Sequence, residues 1–237
     1  MVTGSERRPF GTTLTQTQVD EGLRRYMLRV YNYMGSGLAL TGIVAYVVAH
    51  TGLFEILFST GIGYVIIFSP FVLFLFMGVK IRTMKPRTAQ TLFWVLSILM
   101  GASLSYVFLA YTSTSIVRVF FITAAMFGAT SLYGYTTKRS LARWGSFLFM
   151  GLIGAIVAIV VNWFMQSPLL QFVISVGVVL LFTGLTAYDT QRIKKDYVAS
   201  DGQAVMTKKA IYGALKLYWN FIIMFQYMLM LFGGGRE

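Results

Sequence analysis

WGSFLFMGLIGAIVAIVVNWFMQSPLLQFVISVGVVLLFTGLTAY, residues 144–188, contains no Asp, Glu, Lys or Arg. A membrane-spanning helix needs about 20 predominantly apolar residues. This run is long enough for two, and NWFMQSP at 162–168 supplies the turn between them. Other uncharged runs are Val30–Phe54, Ile56–Val79, Thr88–Val117, Val119–Thr137 and Leu217–Gly235. Together they predict seven spans, near residues 28–49, 61–79, 89–111, 116–135, 144–163, 169–190 and 211–232.

Composition agrees. Of 237 residues, 57% are apolar and 12% charged. A soluble domain carries about a quarter charged residues, so this chain lacks the polar surface to face water on all sides. The predicted organisation is a polar tail at 1–26, one membrane domain at 27–233 and a short C-terminal tail at 234–237. Residues 1–26 show no apolar core flanked by a cleavage site, so the first span is expected to be retained. Cysteine is absent, which excludes disulfides and thiolate metal sites.

The net charge of +12 does not point to nucleic acid, because the basic residues sit in alternate loops rather than on one face. Arg7, Arg8, Arg24, Arg25 and Arg29 precede or open span 1. Lys80, Arg82, Lys85 and Arg87 follow span 2, and Lys138, Arg139 and Arg143 follow span 4. Arg192, Lys194, Lys195, Lys208 and Lys209 follow span 6. The other loops are nearly empty of positive charge. By the positive-inside rule the N-terminus is cytoplasmic and the C-terminus lies on the opposite side. The partner of the basic face is anionic lipid.

Small residues recur at packing distance: Ala124, Ala125, Gly128 and Ala129 in span 4, and Gly151, Gly154 and Ala155 in span 5. Such spacing lets helices approach closely in lipid. Trp144 and Trp163 read as interfacial anchors at the two ends of span 5. Ser69-Pro70 predicts a kink in span 2.

Of the eight acidic residues, all but two lie in tails or in the loop before span 7. Glu55 is the one charge of the 1–2 loop, either a solvated carboxylate or a contact for cations at a pore mouth. Asp189 closes span 6. A carboxylate there opposes the helix dipole, and Arg192, three residues on, is a candidate partner. Asp189 is either an interfacial carboxylate reaching headgroup water or a functional intramembrane acid. Lys216 and Asn220 are four apart in span 7 and share a face. Spans 6 and 7 run antiparallel, so that face can meet Asp189. Lys216 alternatively snorkels to the interface.

Enzyme motifs fail. An intramembrane aspartyl protease needs a second Asp, and no other Asp lies in a span. Gly35-Ser36-Gly37 suggests a serine nucleophile, but the lone histidine, His50, is about 21 Å further along the same helix. The chain therefore reads as a non-enzyme without cofactor, and one His with no Cys argues against a transition-metal site.

TGLTAYDTQRIKK at 183–195, followed by GALKLYWNF at 213–221, resembles the signature of the Bax inhibitor-1 family, in its bacterial YccA/YbhL-like branch. The residues at 91–141 and 145–164 are similar to that branch throughout, and the resemblance covers about Tyr26 to Phe232. It implies an all-α bundle of seven transmembrane helices, six around a central seventh, in the bacterial inner membrane. It also implies a pH-sensitive Ca²⁺ leak, in which an aspartate near the end of helix 6 and one in helix 7 share a proton. Asp189 matches the first of these and becomes the candidate Ca²⁺ ligand. The second is replaced, because the motif LYxDF reads LYWNF here and Asn220 cannot ionise. The family pattern further implies an acid within helix 2, which span 2 lacks, and an arginine latch, for which Arg82 or Lys80 is the candidate. The resulting expectation is a Ca²⁺-passing or Ca²⁺-regulating scaffold with an altered sensor, at Asp189, Asn220 and Lys216. The alternative is a non-transporting stress or quality-control regulator that binds a membrane protease or another membrane protein, with residues 1–25 as the handle.

Overall fold

The computed structural model describes residues 16–59 and 61–235. Among these residues nine α-helices follow one another: α1 Gln16–His50, α2 Leu53–Phe58, α3 Ile62–Lys80, α4 Pro86–Leu104, α5 Tyr106–Ala110, α6 Ser113–Thr136, α7 Trp144–Met165, α8 Pro168–Lys195 and α9 Gln203–Phe232. A 3-10 turn, Leu141–Arg143, leads into α7. Among the described residues seven helical stretches are long and apolar enough to cross a membrane, with α4 and α5 counted as one. Among the described residues the extended structure is a single isolated bridge, Tyr111 to Gly235.

Local chemistry fixes the boundaries. Thr112 caps α6 by accepting from the Ser115 amide. Ser167 caps α8 by accepting from the Leu170 amide, with Pro168 in the first helical position, where its missing N–H costs nothing. The predicted turn at 162–168 is tighter than its sequence suggests. α7 runs on to Met165, Gln166 adopts φ 49°, and α8 begins two residues later. Asn162 makes this reversal. Its Oδ1 accepts from the Ser167 amide at 3.1 Å and its Nδ2 donates to Gln171 Oε1 at 2.9 Å.

Pro70 lies inside α3 and has no N–H to give the Ile66 carbonyl. That carbonyl instead accepts from Ser69 Oγ at 3.1 Å and from Ser103 Oγ, on α4, at 2.6 Å. The proline thus converts a bond within one helix into a bond between two.

α9 is the most buried of the spans and α7 the least. α9 packs against α1, α3, α4, α6 and α8, whereas α7 packs against α8. Neighbouring helices gain no hydrophobic advantage over lipid, so close contact holds them, and glycines permit it. A Cβ at Gly134 would overlap the Ala187 backbone, and one at Gly101 would sit 2.6 Å from the Thr41 carbonyl. Gly37, read above beside Ser36, seats α1 against Phe93 and Ser97 of α4. Gly128, the centre of the expected small-residue stripe in span 4, has no atom within 4 Å of a built Cβ.

Three helices run well past the lipid-length spans at the basic end. α1 begins at Gln16 rather than 28, α8 continues to Lys195 rather than 190, and α9 begins at Gln203 rather than 211. The loop expected at 191–210 is therefore only 196–202, with a turn closed by the Asp201 amide on the Val198 carbonyl at 3.1 Å. Tyr26 and Tyr197 rings meet at 5.7 Å. Lys209 pairs with Asp201 at 2.5 Å, Arg29 donates to Thr207 at 3.4 Å and Lys208 to the Arg82 carbonyl at 2.7 Å. Residues 16–26 of the expected tail are thus helical, while 1–15 lie outside the described residues. At the far end Gly234 accepts from the Thr112 amide and donates to Ser115 Oγ. Residues 236–237 are outside the description.

Candidate functional site

Asp189-Thr190-Gln191 interrupts the apolar run of α8, and all three residues are buried. Successive side chains on an α-helix, with 3.6 residues per turn, point about 100° apart. The three therefore fan out toward three different neighbours.

Asp189 turns toward α9. Its Oδ2 accepts from Asn220 Nδ2 at 2.9 Å, and its Oδ1 from Lys216 Nζ at 3.4 Å. Lys216 and Asn220, one turn apart, thus hold the two oxygens of one carboxylate. Asp189 is 8% exposed and Asn220 5%. The Lys216 ammonium also lies 5.1 Å from the centre of the Tyr212 ring, a cation–π position. Since α8 continues to Lys195, Asp189 stands nearly two turns inside the helix, and the unfavourable C-terminal dipole expected from the sequence is confined to the last turn. Arg192, Lys194 and Lys195 occupy that turn.

Thr190 turns toward α6. Its hydroxyl bonds Ser131 Oγ at 2.9 Å, which bonds Tyr31 OH of α1 at 2.7 Å. Gln191 turns toward the loop before α7. Its Oε1 accepts from the Leu141 amide and its Nε2 donates to the Arg139 carbonyl, both at 2.8 Å. A separate buried relay runs from Tyr218 OH to Thr41 Oγ1 at 2.7 Å, and from Thr41 to the Ser97 carbonyl at 2.9 Å. Among the described residues no buried side-chain polar atom lacks a partner, as a low-dielectric interior requires.

The structure brings Lys216 and Asn220 to Asp189. It does not bring Arg192, Arg82 or Lys80, which are exposed and make no ion pair among the described residues. Arg192 is three residues from Asp189 on a neighbouring row of α8, but its side chain is exposed, while Asp189 is buried against α9. Glu55 sits exposed on the two-turn helix α2 at the far end. Among the described residues no group of three or more His, Asp or Glu side chains is placed to hold a metal ion. Ca²⁺ takes six to eight oxygen ligands, and one carboxylate already facing an ammonium and an amide N–H does not form such a cage.

Sequence reasoning missed Thr190, Gln191, Ser131, Tyr31, Thr41 and Tyr218. The available signal was three consecutive polar residues still inside an apolar helix, a pattern with an inward-facing residue on more than one side.

Residues 23–237 match the family model described as inhibitor of apoptosis-promoting Bax1. The chain is 38% identical to the inner membrane protein YbhL of Escherichia coli, over 98% of this chain and 100% of that protein. It is 45% identical to an uncharacterized protein of Rickettsia prowazekii, over 95% of this chain and 96% of the relative. It is 46% identical to one of Caulobacter vibrioides, over 92% of each.

Proposed function

The chain belongs to the Bax inhibitor-1 family and is an integral protein of the bacterial inner membrane, and from this premise we propose that it is a scaffold for regulated Ca²⁺ passage, held closed at its cytoplasmic end by Lys216 and Asn220 on Asp189. The observation that carries this reading is the ion pair at 3.4 Å. Two facing carboxylates would repel one another, share a proton and attract a cation. Here one carboxylate faces a fixed cation and a neutral amide. The pair is locally neutral, and an entering Ca²⁺ must displace an ammonium. Asn220 offers no proton to exchange. The proposed leak is therefore weak and flat with pH. The six-around-one arrangement belongs to the same reading and is supported by five helices packing directly on α9. The expected tail, membrane domain and C-terminal tail divide the chain in the same way, with the helical start of α1 standing in the cytoplasm.

Ca²⁺ flux into proteoliposomes tests the proposal. Wild type should leak little across neutral pH, and Asn220→Asp should create a pH-dependent leak. A steep pH-dependent leak in wild type, abolished by Asp189→Asn, would overturn the role given to Asn220. No flux from any of the three would transfer the function to the alternative, a regulator of a membrane protease or other membrane partner.

A further inference from the structure

We infer that the cytoplasmic end of the α7–α8 pair is a binding site for an anionic glycerophospholipid, with its phosphate at Arg139 and Arg143 and an acyl chain laid in the groove between the two helices. Two cavities carry the inference. The first, about 640 Å³, is lined by Arg139, Ser140, Arg143, Trp144 and Tyr188 among others, and contains no acidic residue. The second, about 580 Å³, follows the seam between α7 and α8 and is apolar throughout. They share Trp144, Leu148 and Gly184. A basic, aromatic-edged pocket at headgroup level thus opens into an apolar channel directed toward the membrane centre. From Trp144 to Ala158 the channel follows about 21 Å of helix.

The glycines shape this channel. Gly145, Gly151 and Gly184 make the seam, since a Cβ at each would come within 2.8–3.0 Å of Tyr188, Leu181 or Leu148. Gly154 and Gly177 line the groove but have nothing within 4 Å of a built Cβ. The helices touch at the first set, and the exposed glycines of the second leave the groove open on its outer side.

The arginines are held for an anion. Buried Gln191 bonds the Arg139 carbonyl and the Leu141 amide at 2.8 Å each, fixing the short loop that carries both guanidinium groups. Neither makes an ion pair among the described residues. Arginine matches a phosphate with two parallel N–H donors, and basic pockets between spans on the cytoplasmic side suit acidic headgroups. Charge and shape together select a phospholipid over a free anion, which would leave the groove empty, and over a partner helix, which has no use for the arginine pocket.

The full chain in phosphatidylcholine vesicles, doped with acyl-brominated phosphatidylglycerol or acyl-brominated phosphatidylcholine, tests this. The readout is the component of tryptophan quenching that disappears in Trp144→Phe. Phosphatidylglycerol should quench it at a several-fold lower mole fraction than phosphatidylcholine. Arg139→Gln and Arg143→Gln should each weaken the preference about fivefold, while Arg118→Gln, at the far end, should not. Gly154→Leu fills open space and should weaken the preference with both arginines in place. Equal quenching by the two lipids, a preference that survives the Arg139→Gln/Arg143→Gln double variant or Gly154→Leu, or displacement by glycerol 3-phosphate alone would each overturn the inference.

Discussion

At Asn220 an amide stands where the resemblance leads one to expect a carboxylate, and the charge of the cluster is balanced rather than negative. A carboxylate in that place would set two acids face to face. The amide instead donates to Asp189 Oδ2 at 2.9 Å, and Lys216 supplies the cation. Removing one member of such a pair strands the other. Lys216→Met should therefore lower thermal stability in detergent and raise Ca²⁺ flux several-fold over wild type. The cycle with Asp189→Asn should give a coupling of about 1–2 kcal/mol, and additive effects would show that the pair contributes little. Asp189 was legible because a carboxylate inside an apolar helix is conspicuous. Its partner was legible only as a face, Lys216 with Asn220, because side-chain spacing specifies direction but not contact. Tyr31, Ser131 and Thr41 were not legible. In membrane helices hydroxyls commonly bond their own preceding turn, as Thr123, Thr130 and Thr183 do, and sequence does not separate these from hydroxyls that bridge helices.

Helices in this bundle are positioned by a few points of close approach. Gly134 is one, where α6 meets the Ala187 backbone of α8. A methyl group there must push two backbones apart, so Gly134→Ala should destabilise by about 1–3 kcal/mol. Gly128→Ala, on the same helix, enters open space and should stay within about 0.5 kcal/mol. Thermal unfolding of the two variants in detergent checks both, and equal effects would contradict the placement of α6. The number of spans could be read from uncharged length, since lipid imposes it, whereas the short helices α2 and α5 could not. Nor could the true ends of the spans. Hydropathy marks where lipid stops, whereas α1, α8 and α9 continue beyond it on contacts such as Tyr26 with Tyr197 and Lys208 with the Arg82 carbonyl, which join residues distant in sequence. For the same reason the small-residue pattern in span 4 pointed to Gly128, when the contact is made at Gly134.

For the molecule as a whole, charge sets orientation. Among the described residues nearly all the basic side chains lie at one end of the bundle, and an odd number of spans carries the C-terminus to the other. Alkaline phosphatase fused after residue 237 should be active and a fluorescent protein fused there dark, and the reverse result would invert the topology. Burial and order of synthesis run opposite ways. α9 leaves the ribosome after α1, α3, α4, α6 and α8, yet it packs against all five and brings Asn220 and Lys216 to Asp189, and Tyr218 to Thr41. Until it arrives, the nascent protein holds an acid and a hydroxyl in hydrocarbon without those partners. Insertion is then expected to depart from a simple stacking of helices in the order they emerge: the first six would leave a berth, and the newborn chain would be open to membrane proteolysis until the seventh fills it. A chain ending at residue 202 should be degraded quickly in cells, and co-expression of residues 203–237 should extend its lifetime in pulse-chase.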